Sequence, residues 1–243
     1  MPVEAVIFDL DGTLTSFNID YKALRGDARE CLMRAGVPAS LLKVNESVFD
    51  MLKKAAIYFR NKEKKAHAFE KARAECLSIA EKYEMEAAAT TNLMPGVIET
   101  LKALKEMNLK VGLCTTSSEA AVNYILEHFK IGEYFQAVVS RNKVKQVKPD
   151  PEQLTLALNL LGVQAQTTVI VGDSIVDMQS AMDLKAIAIG LPTGYSTHKQ
   201  LISQGANYIL TSLTDLPILI KKMCTWTTNK PELSPAKHDP PDP

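Results

Sequence analysis

Two pairs of aspartates, a run of hydroxyls and one lysine are the residues of this chain whose types and spacing can do chemistry. Asp9 and Asp11 stand two apart in Ala5-Val6-Ile7-Phe8-Asp9-Leu10-Asp11-Gly12-Thr13-Leu14-Thr15. Carboxylates so close repel one another unless a cation or a shared proton lies between them. The alternative for Asp11 is a capped turn in which it bonds its own backbone. Asp173 and Asp177 form a second acidic pair within Gly172-Asp173-Ser174-Ile175-Val176-Asp177. Thr115-Thr116-Ser117-Ser118 sets four hydroxyls in a row. Such a run serves as helix N-cap chemistry or as a phosphate cradle at a helix N-terminus. Lys148 precedes Pro149 at the end of a loop that also carries Arg141, Lys143 and Lys145.

Each of these groups follows an element that must position it. Ala5-Val6-Ile7-Phe8 is short, apolar and half β-branched, as expected of a strand buried on both faces of a parallel sheet. A strand interior does not tolerate an unpaired acid, so the strand ends at Asp9 and delivers it to an edge. Gly12 lets the chain turn there and approach a ligand. Leu109 to Cys114 is a second strand, ending in Thr115; Thr168 to Val171 is another, ending near Asp173. Phe135 to Ser140, Ala186 to Gly190 and Asn207 to Leu210 complete the set. Between them run helices with apolar stripes such as Val97, Leu101, Leu104 and Ala121, Ile125, Phe129. Asp150 is expected as an N-cap, with Pro151 in the first turn and Gln153 as partner in a capping box, and Gly162 as the stop. From Met94 onward the order is αβαβαβαβαβα, which predicts an α/β fold with a doubly wound parallel sheet. Ligands of such sheets gather at the carboxyl ends of the strands, where Asp9, Thr115 and Asp173 all fall.

Residues 20 to 91 differ. They are rich in Ala, Glu, Lys, Leu and Arg, broken only by Gly26, Gly36 and Pro38, and predict two to four amphipathic helices with no strand. Asp20 is the expected cap of the first. The cluster Arg60, Lys62, Lys64 and Lys65 reads either as a solvated helix start or as a positive rim that attracts a phosphorylated substrate. His67 and His128 lack neighbours at metal-ligand spacing. Beyond Thr228 the chain carries Pro231, Pro235, Pro240, Pro241 and Pro243. Residues 228–243 are expected to be a disordered tail.

Asp9-Leu10-Asp11-Gly12-Thr13 resembles the first motif of the haloacid dehalogenase-like hydrolase superfamily, most of whose members are magnesium-dependent phosphatases. Thr115 at a strand end resembles its second motif, Lys148 before Pro149 the third, and Gly172 to Asp177 the fourth, all in order. Gly194-Tyr195 and the segment from Leu213 to Leu216 also resemble the family's C-terminal part. The resemblance implies a Rossmann-like catalytic core (1–15 and 92–227) with an α-helical cap inserted at 16–91, of the phosphoglycolate-phosphatase-like branch. It implies Asp9 as nucleophile, forming an aspartyl-phosphate, and Asp11 as general acid and base. Thr115, Thr116 and Lys148 would bind phosphate. Mg2+ would be held by Asp9, Asp173 and the backbone carbonyl of Asp11, with Asp177, Ser174 and Thr13 around those ligands. The presence of Asp11 points to a phosphate ester or anhydride, since the dehalogenating branch usually lacks that acid. Phe17, Asn18, Asp20, Tyr21 and Arg25 follow the catalytic loop and are expected at the hinge, in specificity, or simply in capping and packing.

Composition limits the alternatives. The 243 residues are 46% hydrophobic and 23% charged, enough for a sizeable core. Lys plus Arg equals Asp plus Glu at 28 each, which argues against a dedicated binder of nucleic acid or anionic membrane. Four scattered cysteines without a Cys-x-x-Cys pair, no basic leader and no apolar run of bilayer length predict a soluble cytoplasmic protein with reduced thiols. The expected partner is a small phosphorylated metabolite; oligomeric state is not legible. A phosphomutase, a pyrophosphatase or a non-catalytic phosphate-ligand-binding protein are the competing readings.

Overall fold

Four residues without solvent exposure, Ala5–Phe8, form strand β1 at the centre of the computed structural model. Residues 2–16, 18–60 and 66–228 are described, residues 66 and 225–228 by their backbone alone. Phe17, Lys62, Lys64, Lys65 and the expected tail beyond Thr228 lie outside the described residues. The other strands are β2 (Lys110–Cys114), β3 (Ala137–Val139), β4 (Thr168–Gly172), β5 (Ile187–Gly190) and β6 (Tyr208–Ile209). They form one all-parallel sheet in the order β3-β2-β1-β4-β5-β6. The edge strands β3 and β6 are shorter than the alternating apolar pattern predicts.

Three helices, α1 (Tyr21–Arg34), α2 (Val48–Arg60) and α3 (Ala66–Ala88), follow β1 without an intervening strand. Asp20 caps α1, its carboxylate accepting from the Ala23 N–H at 3.0 Å. The three helices bury a cluster of their own, including Leu24, Leu32, Met51, Phe59 and Cys76. From there the chain alternates: α4 (Val97–Glu106), α5 (Glu119–His128), α6 (Glu152–Leu161), α7 (Ile175–Asp183), α8 (His198–Ser203) and α9 (Leu216–Thr228). Side chains on one sheet face pack with α4, α5 and α9 around Phe8, Leu101, Ile125 and Ile220. Those on the other pack with α6, α7 and α8 around Ile7, Leu154 and Met178. Covering both faces is what an all-parallel sheet requires.

The order of strands reverses at β1, which has β2 on one side and β4 on the other. In register, Phe8 pairs with Leu113 and with Val171. The residues next along these three chains are therefore Asp9, Cys114 and Gly172, and one step further Thr115 and Asp173. Local alternation of apolar residues sets each strand; the shared register sets their polar ends side by side at the topological switch point.

The two segments that join α1–α3 to the sheet run against each other. Ser16 N–H donates to Asn92 O at 2.8 Å, Thr91 Oγ1 to Ser16 O at 3.0 Å, and Asn18 Nδ2 to Thr90 O at 3.2 Å. Among the described residues no helix is long and apolar enough to cross a membrane.

Candidate active site

Lys148 is the organising cation of the site. Its ammonium donates to Asp9 Oδ1 at 2.7 Å, Asp177 Oδ1 at 2.6 Å and Cys114 O at 2.7 Å. All three protons are thus committed inside the protein. Burial alone would lower its pKa; the charges of Asp177 and Asp9 reverse this and hold it well above the ordinary lysine value.

Three carboxylates, those of Asp9, Asp173 and Asp177, bring one oxygen each within 4.8 Å of one another. Burial, partly offset by Lys148 and reinforced by Asp177, pushes Asp9 up to about 7. Burial and then repulsion from Asp9 and Asp177 hold Asp173 well above the carboxylate range. One ammonium does not balance this cluster, and a hard divalent cation with a preference for oxygen ligands fits it. Asp177 spends Oδ1 on Lys148 and Oδ2 on the Ser174 N–H at 3.2 Å and the Ser174 hydroxyl. Asp9 and Asp173 therefore keep more oxygen capacity for a metal than Asp177 does. Thr13 Oγ1 donates to Asp173 Oδ1 at 3.4 Å.

Backbone approaches Asp173 closely from two sides. Gly12 has φ +88°, and a Cβ there would lie 2.6 Å from Asp173 Oδ2. At Gly194, in the segment after β5, a Cβ would collide with the same carboxylate. Any side chain at either position would displace the acid.

Asp11 turns its carboxylate away from this cluster to accept from the Ser117 hydroxyl. Burial raises its pKa, against the opposing pull of Ser117 and Lys148. The hydroxyl run after β2 divides its work. Thr115 is buried and its Oγ1 accepts from the Ser117 N–H at 3.1 Å. Ser118 caps α5, accepting from Ala121 N–H at 3.3 Å. Thr116 turns its backbone oxygen to Arg141, which donates at 3.3 Å, and its side chain is half-buried.

Gln153 corrects an expectation. It is not a capping-box partner of Asp150; helix α6 begins at Glu152, and Asp150 Oδ1 accepts from the Glu152 N–H at 2.9 Å. The Gln153 side chain is fully buried instead. Its Nε2 donates to Thr115 O at 2.7 Å and Val139 O at 3.3 Å, and its Oε1 accepts from Lys148 N–H at 3.3 Å. It ties the hydroxyl loop to the lysine loop.

The helices α1–α3 reach the site through two side chains near opposite ends of the unit. Tyr21 is held well above its ordinary pKa by burial and then by the charges of Asp11 and Asp9. Its ring meets that of Tyr195 edge-on at 5.6 Å, and the Arg25 guanidinium lies 5.6 Å from the Tyr21 ring and 5.8 Å from the Tyr195 ring. Arg25 Nε is buried without a hydrogen-bond partner. Glu84 on α3 accepts from the Ser118 N–H at 2.9 Å and pairs with Arg141. Arg141 also donates to Leu77 O at 3.2 Å. The sequence points to Ser117 only as part of the hydroxyl run, without its bond to Asp11, and does not point to Glu84.

This chain matches the model of haloacid dehalogenase-like hydrolases over residues 3–183, which contains every acid, hydroxyl and lysine just described except the flanking Gly194 and Tyr195. The chain belongs to the haloacid dehalogenase-like hydrolase family. It is similar to phosphoglycolate phosphatase 1 of Pseudomonas aeruginosa, with 28% identity over 214 residues, covering 87% of this chain and 77% of that protein. It is also similar to a phosphoglycolate phosphatase of Nitrosospira multiformis, at 26% identity over 225 residues, 91% of this chain and 97% of that one. A solved hydrolase structure from Pseudomonas syringae superposes with a TM-score of 0.63 at 23% identity, covering 90% of this chain and 99% of that one, and shows the shared fold. In this haloacid dehalogenase-like hydrolase, Asp9, Asp11, Thr115, Lys148, Asp173 and Asp177 all lie within the matched span.

Proposed function

We propose that the chain is a magnesium-dependent phosphomonoesterase that hydrolyses a small phosphorylated metabolite through an aspartyl-phosphate on Asp9. The observation that carries this reading is the meeting of Asp9, Asp173 and Lys148 at the switch point, with a third carboxyl, Asp11, held apart on Ser117. Asp9 attacks phosphorus as the ester P–O bond breaks. Asp11, whose pKa is raised by burial, gives its proton to the departing oxygen and then takes one from the water that hydrolyses the intermediate. Thr115, Thr116 and Lys148 orient the phosphoryl oxygens, Lys148 by sharing protons it now gives to Asp9 and Cys114 O. Asp9, Asp173 and the Asp11 carbonyl would hold Mg2+, which would supply charge that keeps Asp9 ionised and offsets the negative phosphoryl oxygens.

Residues 16–91 act in this proposal as a cap over the core formed by 1–15 and 92–227, excluding water while the ester is bound. Arg25 offers that cap a guanidinium with a buried, unpartnered Nε, which suits a leaving group bearing a carboxylate. Phosphoglycolate, named in both relatives above, is such a compound. The test is phosphate release from a panel of phosphorylated metabolites, with and without magnesium. The reading expects magnesium-dependent turnover, fastest among esters whose alcohol carries a carboxylate. Absence of phosphate release from every ester, with magnesium present, would overturn it.

A further inference from the structure

Helices α2 and α3 and the loop from Arg141 to Val147 line an open cleft of about 530 Å³. None of Asp9, Asp11, Lys148 or Asp173 lines it. Its charged lining is of a single sign: Lys53 and Arg60 from α2, Arg73 from α3, and Arg141 and Lys145 from the loop, with no acid among the lining residues. Arg141 is neutralised by Glu84. The other four have no ion-pair partner among the described residues, although the whole chain carries equal numbers of both signs. Like charges gathered along one cleft raise its positive potential, and an anion that enters it relieves their repulsion.

The rest of the wall is apolar apart from Asn142 and Gln146 on the loop side. Phe49 and Leu52 of α2 face Phe69 and Leu77 of α3, and Val144 and Val147 close the loop side. A bare inorganic anion would use the cations and leave this wall wet. The volume falls within the ~300–1,000 Å³ usual for cofactor-sized ligands. Guanidinium groups suit phosphate oxygens, and they also stack on planar rings.

We propose that this cleft is a second ligand site, separate from the catalytic centre, for a nucleotide-sized molecule that joins a planar apolar body to at least two negative charges. Lys53, Arg60, Arg73 and Lys145 take the charges, and the Phe49–Phe69 side takes the body. The site goes beyond the phosphatase reading and does not depend on it.

The experiment uses the full chain in chelator, where no turnover occurs, and titrates ADP, inorganic pyrophosphate and adenosine by calorimetry. ADP is expected to bind at least tenfold tighter than either fragment. Lys53→Glu and Arg73→Gln, each checked for an unchanged melting temperature, are expected to weaken ADP at least tenfold. Both are expected to leave magnesium-dependent hydrolysis of an aryl phosphate unchanged. Orthovanadate with magnesium, which fills a phosphoryl site, is expected to leave ADP affinity within twofold. The proposal is overturned if both variants bind ADP as the wild type does, if adenosine or pyrophosphate binds as tightly as ADP, or if vanadate displaces ADP. Failure of the phosphatase reading would show instead in the turnover assay, with the binding arms intact.

Discussion

Glu84 and Arg141 form a buried ion pair that joins helix α3 to the loop after β3, with side chains 8% and 4% exposed. The same carboxylate accepts from the Ser118 N–H, and the same guanidinium donates to Thr116 O. The helices of the insert are thereby bonded to the backbone on either side of Ser117, the partner of Asp11. Burial raises the pKa of Glu84, and Arg141 opposes that rise.

Removing one partner strands the other. Glu84→Leu should leave the Arg141 charge buried and cost ~3–5 kcal/mol in urea unfolding. The double variant Glu84→Leu with Arg141→Leu should recover most of that loss, because both charges are then gone. A double variant no more stable than Glu84→Leu alone would show that the pair's role is not its charge balance.

Gln153→Ala removes a donor from two buried carbonyls, Thr115 O and Val139 O. Each loss of this kind costs ~1–3 kcal/mol. Gln153→Glu should be worse, since it turns a carboxylate toward both carbonyl oxygens. Unfolding midpoints of the two variants decide the order, and a Glu variant as stable as wild type would contradict the assigned amide orientation.

Asp9→Asn and Asp11→Asn separate nucleophile from acid. The first should abolish turnover with the fold retained. The second should slow esters of poor leaving groups by ~100- to 10,000-fold, while an aryl phosphate shows a burst and then slow turnover. Rapid quench followed by mass measurement should find phosphate trapped on Asp9. Equal losses on both substrates, without a covalent adduct, would leave Asp11 a positioning residue.

The metal-free protein should respond to pH through Asp9. Its folded pKa of about 7 lies above the ordinary 3.8, so the folded state holds the proton more tightly than the unfolded chain. Its contribution to stability is complete below about 4 and is lost as pH rises through 7. In chelator, wild type should therefore lose stability relative to Asp9→Asn between pH 5 and 8. Magnesium should raise the wild-type melting temperature more at pH 8 than at pH 5. Parallel melting curves for the two proteins across that range would place the proton elsewhere.

What was legible in the sequence followed from local contrast. An apolar run stopped by Asp9, Thr115 or Asp173 announces a strand and its polar end in one stretch, and a parallel sheet then gathers those ends. Local spacing misleads at Gln153: its distance from Asp150 satisfies a capping rule, while its partners, Thr115 O and Val139 O, lie across the β2–β3 edge. Glu84 had no local signature at all. On an amphipathic helix an acid reads as a solvent-facing charge, and its partner Arg141 is 57 residues away. Cavities formed between distant elements leave no periodic trace: Arg60, Arg141 and Lys145 of the cationic lining stand in basic stretches of the sequence, and nothing local joins them to one another or to Lys53 and Arg73.

The antiparallel contact between Ser16 and Asn92 has an architectural consequence. Because the insert leaves and re-enters the sheet at one point, its ends are already a hydrogen bond apart whatever lies between them. Closing so long a loop costs chain entropy that grows only with the logarithm of its length. The core is therefore nearly indifferent to how many helices are threaded through that doorway. Grafting a helical unit of different length between Ser16 and Asn92 should leave the sheet's register untouched and, under the proposed cap role, change which esters are turned over.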